Sequence, residues 1–280
     1  MTRAPLIAAL LAASLLTAGC GGGTRDGASG GPSSSGGQPR AEVRVPDAGE
    51  PFDYQLGGAY PPPSGARTVV RDRTAAPAPG LYNICYVNAY QAQADAVDWW
   101  GAHHPGLLLR DAEGARVVDK DWDEPLLDIS TAARRASLAD VVGQWIDGCA
   151  AKGFDAVEAD NLDSYLRSDG LLDRADATGF AVLIARRAHR AGLAIGQKNA
   201  AEMTGEHAAV GFDFAVAEEC GRYDECAAYA DAYADRVFVI EYRRPDFTAT
   251  CRAWGRRLAV TLRDRDVVAA GEPGYADARC

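Results

Sequence analysis

The chain has 280 residues, 48% hydrophobic and 24% charged, enough for one large globular domain or two small ones. Its formal net charge is -10, and its Lys and Arg are scattered rather than grouped. That argues against duplex nucleic acid, whose phosphates need clustered basic side chains, and favours a cationic or neutral partner.

The first segment, "MTRAPLIAALLAASLLTAGC", carries Arg3, an apolar run from Leu6 to Leu16 and the small pair Ala18-Gly19 before Cys20. This is the pattern of a secretory signal peptide over residues 1–19, and "LTAGC" resembles a bacterial lipobox with Cys20 as the lipidated residue. The apolar run is short for a membrane span. Residues 21–40 are Gly- and Ser-rich and hold too little apolar surface for a core. Residues 20–50 are therefore read as a lipid-anchored flexible tether, and 51–280 as the folded domain. The expected location is the extracellular side of a bacterial membrane, reached only through the lipid, or free secretion.

From residue 66 onward short Val/Ile/Leu-rich runs alternate with Ala- and Arg-rich stretches at helical spacing. The predicted strands are 68–72, 83–88, 126–130, 155–161, 193–199, 214–219, 237–242 and 258–264. Helices are predicted over 92–104, 137–153, 175–192, 224–235 and 246–257, with Gly153 and Gly192 at two of the stops. Strand–helix alternation predicts an α/β fold with a parallel sheet and helices outside. Eight such units in roughly 200 residues predict a single (β/α)₈ TIM-type barrel. An open nucleotide-binding sheet would need a Gly-rich turn after its first strand, and "TVVRDRTAAPAPG" has none.

Six cysteines follow Cys20: Cys85, Cys149, Cys220, Cys226, Cys251 and Cys280. An even count behind an export signal predicts disulfides, with fifteen possible connectivities. Cys220 and Cys226 are close enough to staple one loop, Cys251 and Cys280 could tie down the C-terminus, and Cys85 and Cys149 remain. No CxxC pair occurs, and His103, His104, His189 and His207 are poorly spaced for zinc. No cofactor is expected.

Each predicted strand ends in polar residues, among them Asp72, Asn88, Asp128, Asp160-Asn161, Lys198-Asn199, Glu218-Glu219 and Glu241-Tyr242. In a barrel these ends converge on one face, where the active site lies. The acids of "VEADNLDSY" (157–165) form one sector of that mouth. Paired carboxylates there permit glycoside hydrolysis; several acids could instead hold a divalent metal for hydrolysis. A serine-hydrolase elbow is absent.

The motifs "YQL" (54–56), "CYVNA" (85–89), "DWDEPLLDI" (121–129), "GFDAVEADNLDSY" (153–165), "GQKN" (196–199), "FDFAVAEEC" (212–220), "YDEC" (223–226) and "FVIEY" (238–242) together resemble glycoside-hydrolase family 114. These are barrel enzymes that include endo-α-1,4-polygalactosaminidases. The resemblance runs from about residue 52 to the C-terminus. It implies an endo-acting, retaining hydrolase of α-1,4-linked galactosamine polymers, with Asp160 as nucleophile and Glu218 as acid/base. A partly deacetylated polymer of this kind is cationic and suits an acidic mouth. The chain departs from the family pattern at Ala217 before the Glu, at Tyr90 and the "QAQADA" after "CYVNA", and at Ala200 after "KN". Asp72, Tyr86, Asp128, Asn161, Lys198, Glu241 and Tyr242 are candidate substrate-binding residues, with Glu158 and Asp163 in support. Trp122 could also stack on a sugar, whereas Trp99, Trp100, Trp145 and Trp254 fit core packing. The protein is expected to act as a monomer. The alternatives are a non-catalytic polysaccharide-binding lipoprotein on a degenerate barrel and a metal-dependent hydrolase using the "DNLD" acids.

Overall fold

A computed structural model describes residues 43–280. The signal peptide, Cys20 and most of the tether lie outside the described residues. Residues 43–50, the end of the stretch read as tether, pack on the domain. Val43 meets the apolar cluster inside the sheet, and the Arg44 carbonyl accepts from the Tyr82 hydroxyl at 2.7 Å.

Eight parallel strands follow one another around a curled sheet: β1 (Phe52–Gln55), β2 (Thr68–Asp72), β3 (Tyr82–Asn88), β6 (Ala156–Asp160), β7 (Ala194–Lys198), β8 (Phe214–Glu218), β9 (Val237–Glu241) and β10 (Ala259–Arg263). β11 (Asp277–Arg279) adds antiparallel to β10. β4 (Val118–Asp119) and β5 (Glu124–Pro125) form a separate two-stranded hairpin.

Seven of the eight predicted strands form. The run 126–130 does not: Leu126 and Leu127 make only isolated bridges to Gln91 and Leu108, and Asp128 leads into a helix. The eighth parallel strand is instead β1, a four-residue run too short to stand out by periodicity.

The outer layer is uneven. α1 (Val97–His103), α2 (Ala132–Lys152), α3 (Arg174–Arg190), α4 (His207–Val210), α5 (Cys226–Tyr233) and α6 (Arg244–Trp254) follow β3 onward, while loops alone join β1 to β2 and β2 to β3. The Thr131 hydroxyl caps α2 by accepting from the Arg134 N–H, and Asp173 caps α3 in a capping box with Asp176.

Period-two alternation divides the core. Phe52, Tyr54, Ile84, Ala156, Phe214, Val216, Phe238 and Ile240 fill the inside of the curl. Val157, Ala159, Ile195, Ala215, Val237 and Val239 pack under the helices. Gly196 faces inward beside Phe214, whose ring would lie 2.5 Å from any added Cβ, so the aromatic filling depends on glycine there.

Three disulfides join the six cysteines: Cys85–Cys149 ties β3 to α2, Cys220–Cys226 closes a loop before α5, and Cys251–Cys280 fastens the chain end to α6. Trp100 is buried and Trp145 and Trp254 are half-buried, as expected, but Trp99 is 38% exposed and stacks on His103.

Candidate active site

Strand parity decides what reaches the mouth. On β6, Ala156 faces inward, so Glu158 and Asp160 do too; on β7 and β8 the same count brings Lys198 and Glu218 inward. The chain then turns at once: Asn161, Asn199, Ala200 and Glu219 all have φ between 50° and 69°. Left-handed backbone at non-glycine residues costs energy and concentrates where side chains must be aimed. Here it brackets the three strand ends that carry the ionisable groups.

Lys198 is the centre of the site. Only 2% exposed, its Nζ lies 2.9 Å from Glu158 Oε1, 3.1 Å from Asp160 Oδ1 and 3.4 Å from Glu218 Oε2. It also donates to the Tyr54 hydroxyl at 3.2 Å, and Tyr54 donates to Glu158 Oε1 at 2.8 Å. Burial alone would strip the ammonium of its proton, but the three carboxylates outweigh it and hold its pKa well above the usual lysine value. Glu158 is fully buried, and that burial pushes its carboxyl up to about 7 in spite of Lys198 and Tyr54.

Asp160 answers differently. Burial would raise it, yet Lys198, the Tyr86 hydroxyl at 2.7 Å and the Asn161 N–H at 2.8 Å together hold it below the ordinary aspartate range. It is a desolvated carboxylate kept ionised by three fixed donors. Glu218 faces it from β8. Its Oε1 accepts from the Tyr242 hydroxyl and its Oε2 from Asn199 Nδ2 at 2.9 Å, while its own N–H donates to Asn199 Oδ1 at 2.8 Å. Tyr242 and Asn199 thus fix its rotamer.

These groups open into a cavity of about 270 Å³. Tyr86, Asn161, Lys198, Tyr242 and Trp122 line it with the acid pair, as expected from the strand ends and the aromatics. Asp163 also lines it, paired with Arg167 Nη2 at 2.9 Å. The acids of 157–165 therefore do not repel one another freely, because Lys198 sits between Glu158 and Asp160 and Arg167 takes Asp163.

Three expected contributors lie elsewhere. Asp72 ends β2 with the inward parity of Val70, but its Oδ1 accepts from the N–H and hydroxyl of Thr74, at 2.8 and 2.5 Å, and it does not line the cavity. Asp128 is in a loop, and Ser130 and Arg134 at the start of α2 occupy its carboxylate. Glu241 has the opposite parity from Phe238 and Ile240; it points under the helices, where Gly221 N–H and the Thr250 hydroxyl donate to Oε1 at 2.8 and 3.1 Å.

Other lining residues had no role assigned from sequence. Tyr54 comes from the overlooked β1. Glu124, from β5, accepts from Asn88 Nδ2 at 2.8 Å, and Asn88 accepts in turn from Asn161 Nδ2 at 3.0 Å. Burial raises the Glu124 carboxyl to about 7. Buried Asp119, on β4, takes Arg167 Nε at 2.6 Å. The quoted motifs "YQL" and "DWDEP" contained the signal for Tyr54 and Glu124; nothing in the spacing marked Asp119 or Arg167.

A family model described as glycoside-hydrolase family GH114 matches residues 33–280. Among solved structures, Ega3 of Aspergillus fumigatus, crystallised with galactosamine, is similar at a TM-score of 0.70 and 24% identity, covering 87% of this chain and 100% of that one. The glycoside hydrolase domain of PelA from Pseudomonas aeruginosa is similar at a TM-score of 0.57 and 16% identity, covering 79% of this chain and 97% of that one. At these identities the likeness is one of fold. No curated protein sequence matches the chain significantly.

Proposed function

The chain belongs to glycoside-hydrolase family GH114 and is a glycoside hydrolase, and from that premise we propose that it cleaves α-1,4-linked galactosamine polymers internally, with retention, using Asp160 and Glu218. The observation that carries the mechanism is their shared contact with one nitrogen, Lys198 Nζ, at 3.1 and 3.4 Å. Their facing oxygens are therefore at most about 6.5 Å apart, a bound that accommodates the roughly 5–5.5 Å of a retaining enzyme and reaches only the lower edge of the inverting range.

Asp160, already ionised, attacks the anomeric carbon as the bond to the leaving chain breaks, and Glu218 gives its proton to the leaving oxygen. Water then gives a proton back to Glu218 and attacks the same carbon, releasing Asp160 and the sugar. Lys198, Tyr86 and the Asn161 N–H hold the nucleophile; Tyr242 and Asn199 hold the acid/base. Asp121 and Asp266 also line the cavity, and Glu124 adds its charge as it ionises at about 7, which suits the ammonium groups of a deacetylated amino sugar. The solved relative's galactosamine supports the same substrate class.

The same proposal takes the eight-strand curl as a closed (β/α)₈ barrel, with the Gly57 N–H donating to the Val267 carbonyl at 3.1 Å where β1 meets the segment after β10. It places the enzyme on the extracellular side of a bacterial membrane through Cys20, or free after secretion, acting as a monomer. The metal-dependent alternative is disfavoured because the "DNLD" acids diverge, Asp160 to Lys198 and Asp163 to Arg167.

The test is product analysis on galactosamine-rich polymer, with the anomeric form of the first product read by NMR. Asp160→Asn and Glu218→Gln should each abolish oligosaccharide release in folded protein. Near wild-type cleavage by both would overturn the assignment.

A further inference from the structure

The large apolar side chains most open to solvent among the described residues are Val45, Trp99, Trp122, Leu166, Leu171 and Tyr223. Three of these, Trp122, Leu166 and Tyr223, line one groove of about 710 Å³, at 48%, 66% and 57% exposure. Exposed apolar side chains gathered in one concavity mark a binding surface rather than chance.

This groove is continuous with the catalytic cavity. Trp122, Asn199, Glu218 and Tyr242 line both. It lies on the Glu218 side: Asp160, Tyr86 and Lys198 line the cavity but not the groove.

Each of the two aromatic rings has a guanidinium over one face. Arg222 lies over one face of Tyr223, 5.1 Å from the ring centre, and is fixed by an ion pair with Glu219 at 2.7 Å. Tyr223 sits within the loop closed by Cys220–Cys226, and its N–H donates to the Glu219 carbonyl at 3.0 Å. Arg265 lies over the Trp122 ring at 5.0 Å in the same way. A ring backed by a guanidinium on one side presents its other face as a preorganised platform, which lowers the ordering cost of stacking.

We propose that this groove binds the polysaccharide on the leaving-group side of the cleaved bond, with Tyr223 and Trp122 as stacking platforms for successive amino sugars. The inference rests on Glu218 being the acid/base, since that residue protonates the departing oxygen and so marks the side on which the released chain lies. Glu202 and Glu225 on the groove wall give the ammonium groups carboxylate partners. An occupied groove of this size also explains why the cut falls within a chain rather than at its end.

The test separates binding from cleavage. In the Glu218→Gln background, affinity for galactosamine oligomers of increasing length is measured by titration calorimetry, with and without Tyr223→Ala. The side chain is exposed, so the substitution leaves folding intact, and Tyr223→Phe keeps the ring. Tyr223→Ala should weaken binding of long oligomers about tenfold and of free galactosamine far less, while Tyr223→Phe stays within about twofold of its parent. Equal affinities at every length would overturn the proposal. The side is read with active protein at high acceptor concentration. There the glycosyl group leaves Asp160 for an acceptor hydroxyl instead of water, and Glu218 takes the proton. Tyr223→Ala should lower the ratio of transfer to hydrolysis about tenfold, and an unchanged ratio would place Tyr223 off the leaving-group side. If the unaltered protein bound long oligomers but cut none, the hydrolase mechanism would fail and the groove would stand.

Discussion

The ammonium of Lys198 stands 3.1 Å from the carboxylate of Asp160, the lysine buried and the aspartate 15% exposed to the cavity. Replacing that ammonium with Met removes the cation that keeps Asp160 ionised and separates it from Glu158. Turnover should fall by about 10²–10³, the loss typical of one fixed electrostatic contact to a reacting group. The acid limb of the pH–rate profile should also move up, because Asp160 must be ionised to attack. Lys198→Met paired with Glu158→Gln removes the charge of fully buried Glu158 together with that of its partner, which limits the folding penalty of the single change. A limb that stays in place in both variants would mean that Lys198 does not govern the nucleophile.

Glu241 gives the contrasting case. Its carboxylate serves the Gly221 N–H and the Thr250 hydroxyl beneath the helices, not the mouth. Glu241→Ala should cost about 1–3 kcal/mol of unfolding free energy by leaving buried donors unpaired. The folded variant should keep kcat/KM within about threefold. A loss of activity comparable to that of Lys198→Met, without loss of stability, would return Glu241 to the site.

The contrast shows where the sequence was legible. Seven strands, five of the helices and the polar strand ends could be read because Val/Ile/Leu runs and 3.6-residue spacing report burial directly. Counting in twos from Phe238 already sends Tyr242 inward and Glu241 outward, so that error lay in treating strand ends as equivalent. Asp128 was misplaced because "LLDIS" has the composition of a strand but lies against Gln91 and Leu108 by single bridges. Arg167 and Asp119 were invisible for a different reason: their 2.6 Å contact joins a helical turn after β6 to the β4–β5 hairpin, and no local pattern encodes such a meeting.

Cysteine pairing is open to direct measurement. Free-thiol titration of unfolded, unreduced protein lacking residues 1–20 should find none of the six thiols, and six would overturn the bridges. Cys85–Cys149 closes a separation of 64 residues between β3, which carries Tyr86, and α2. Replacing both by Ala should cost about 4 kcal/mol through the larger entropy of the unfolded chain. A much smaller loss in denaturant unfolding would show that the unfolded ensemble is already compact there.

Glu124 sets a pH dependence whose sign is fixed. Burial raises its carboxyl from 4.5 to about 7 in the folded protein. Between those values the folded state holds a proton that the unfolded chain has released, so stability from this group is complete below pH 4.5 and is lost as pH rises through about 7. Glu158 acts in the same direction, since it too is raised to about 7. Asp160 acts in the opposite one, its depressed value adding stability that disappears only under acid. Glu124→Gln keeps a side-chain oxygen for Asn88 and removes the titration. Unfolding free energies taken at steps across pH 4.5 to about 7 should therefore fall less steeply in Glu124→Gln than in the unaltered protein. Coincident slopes would mean that Glu124 is ionised throughout, and that the negative charge facing an incoming ammonium group is already present at acid pH.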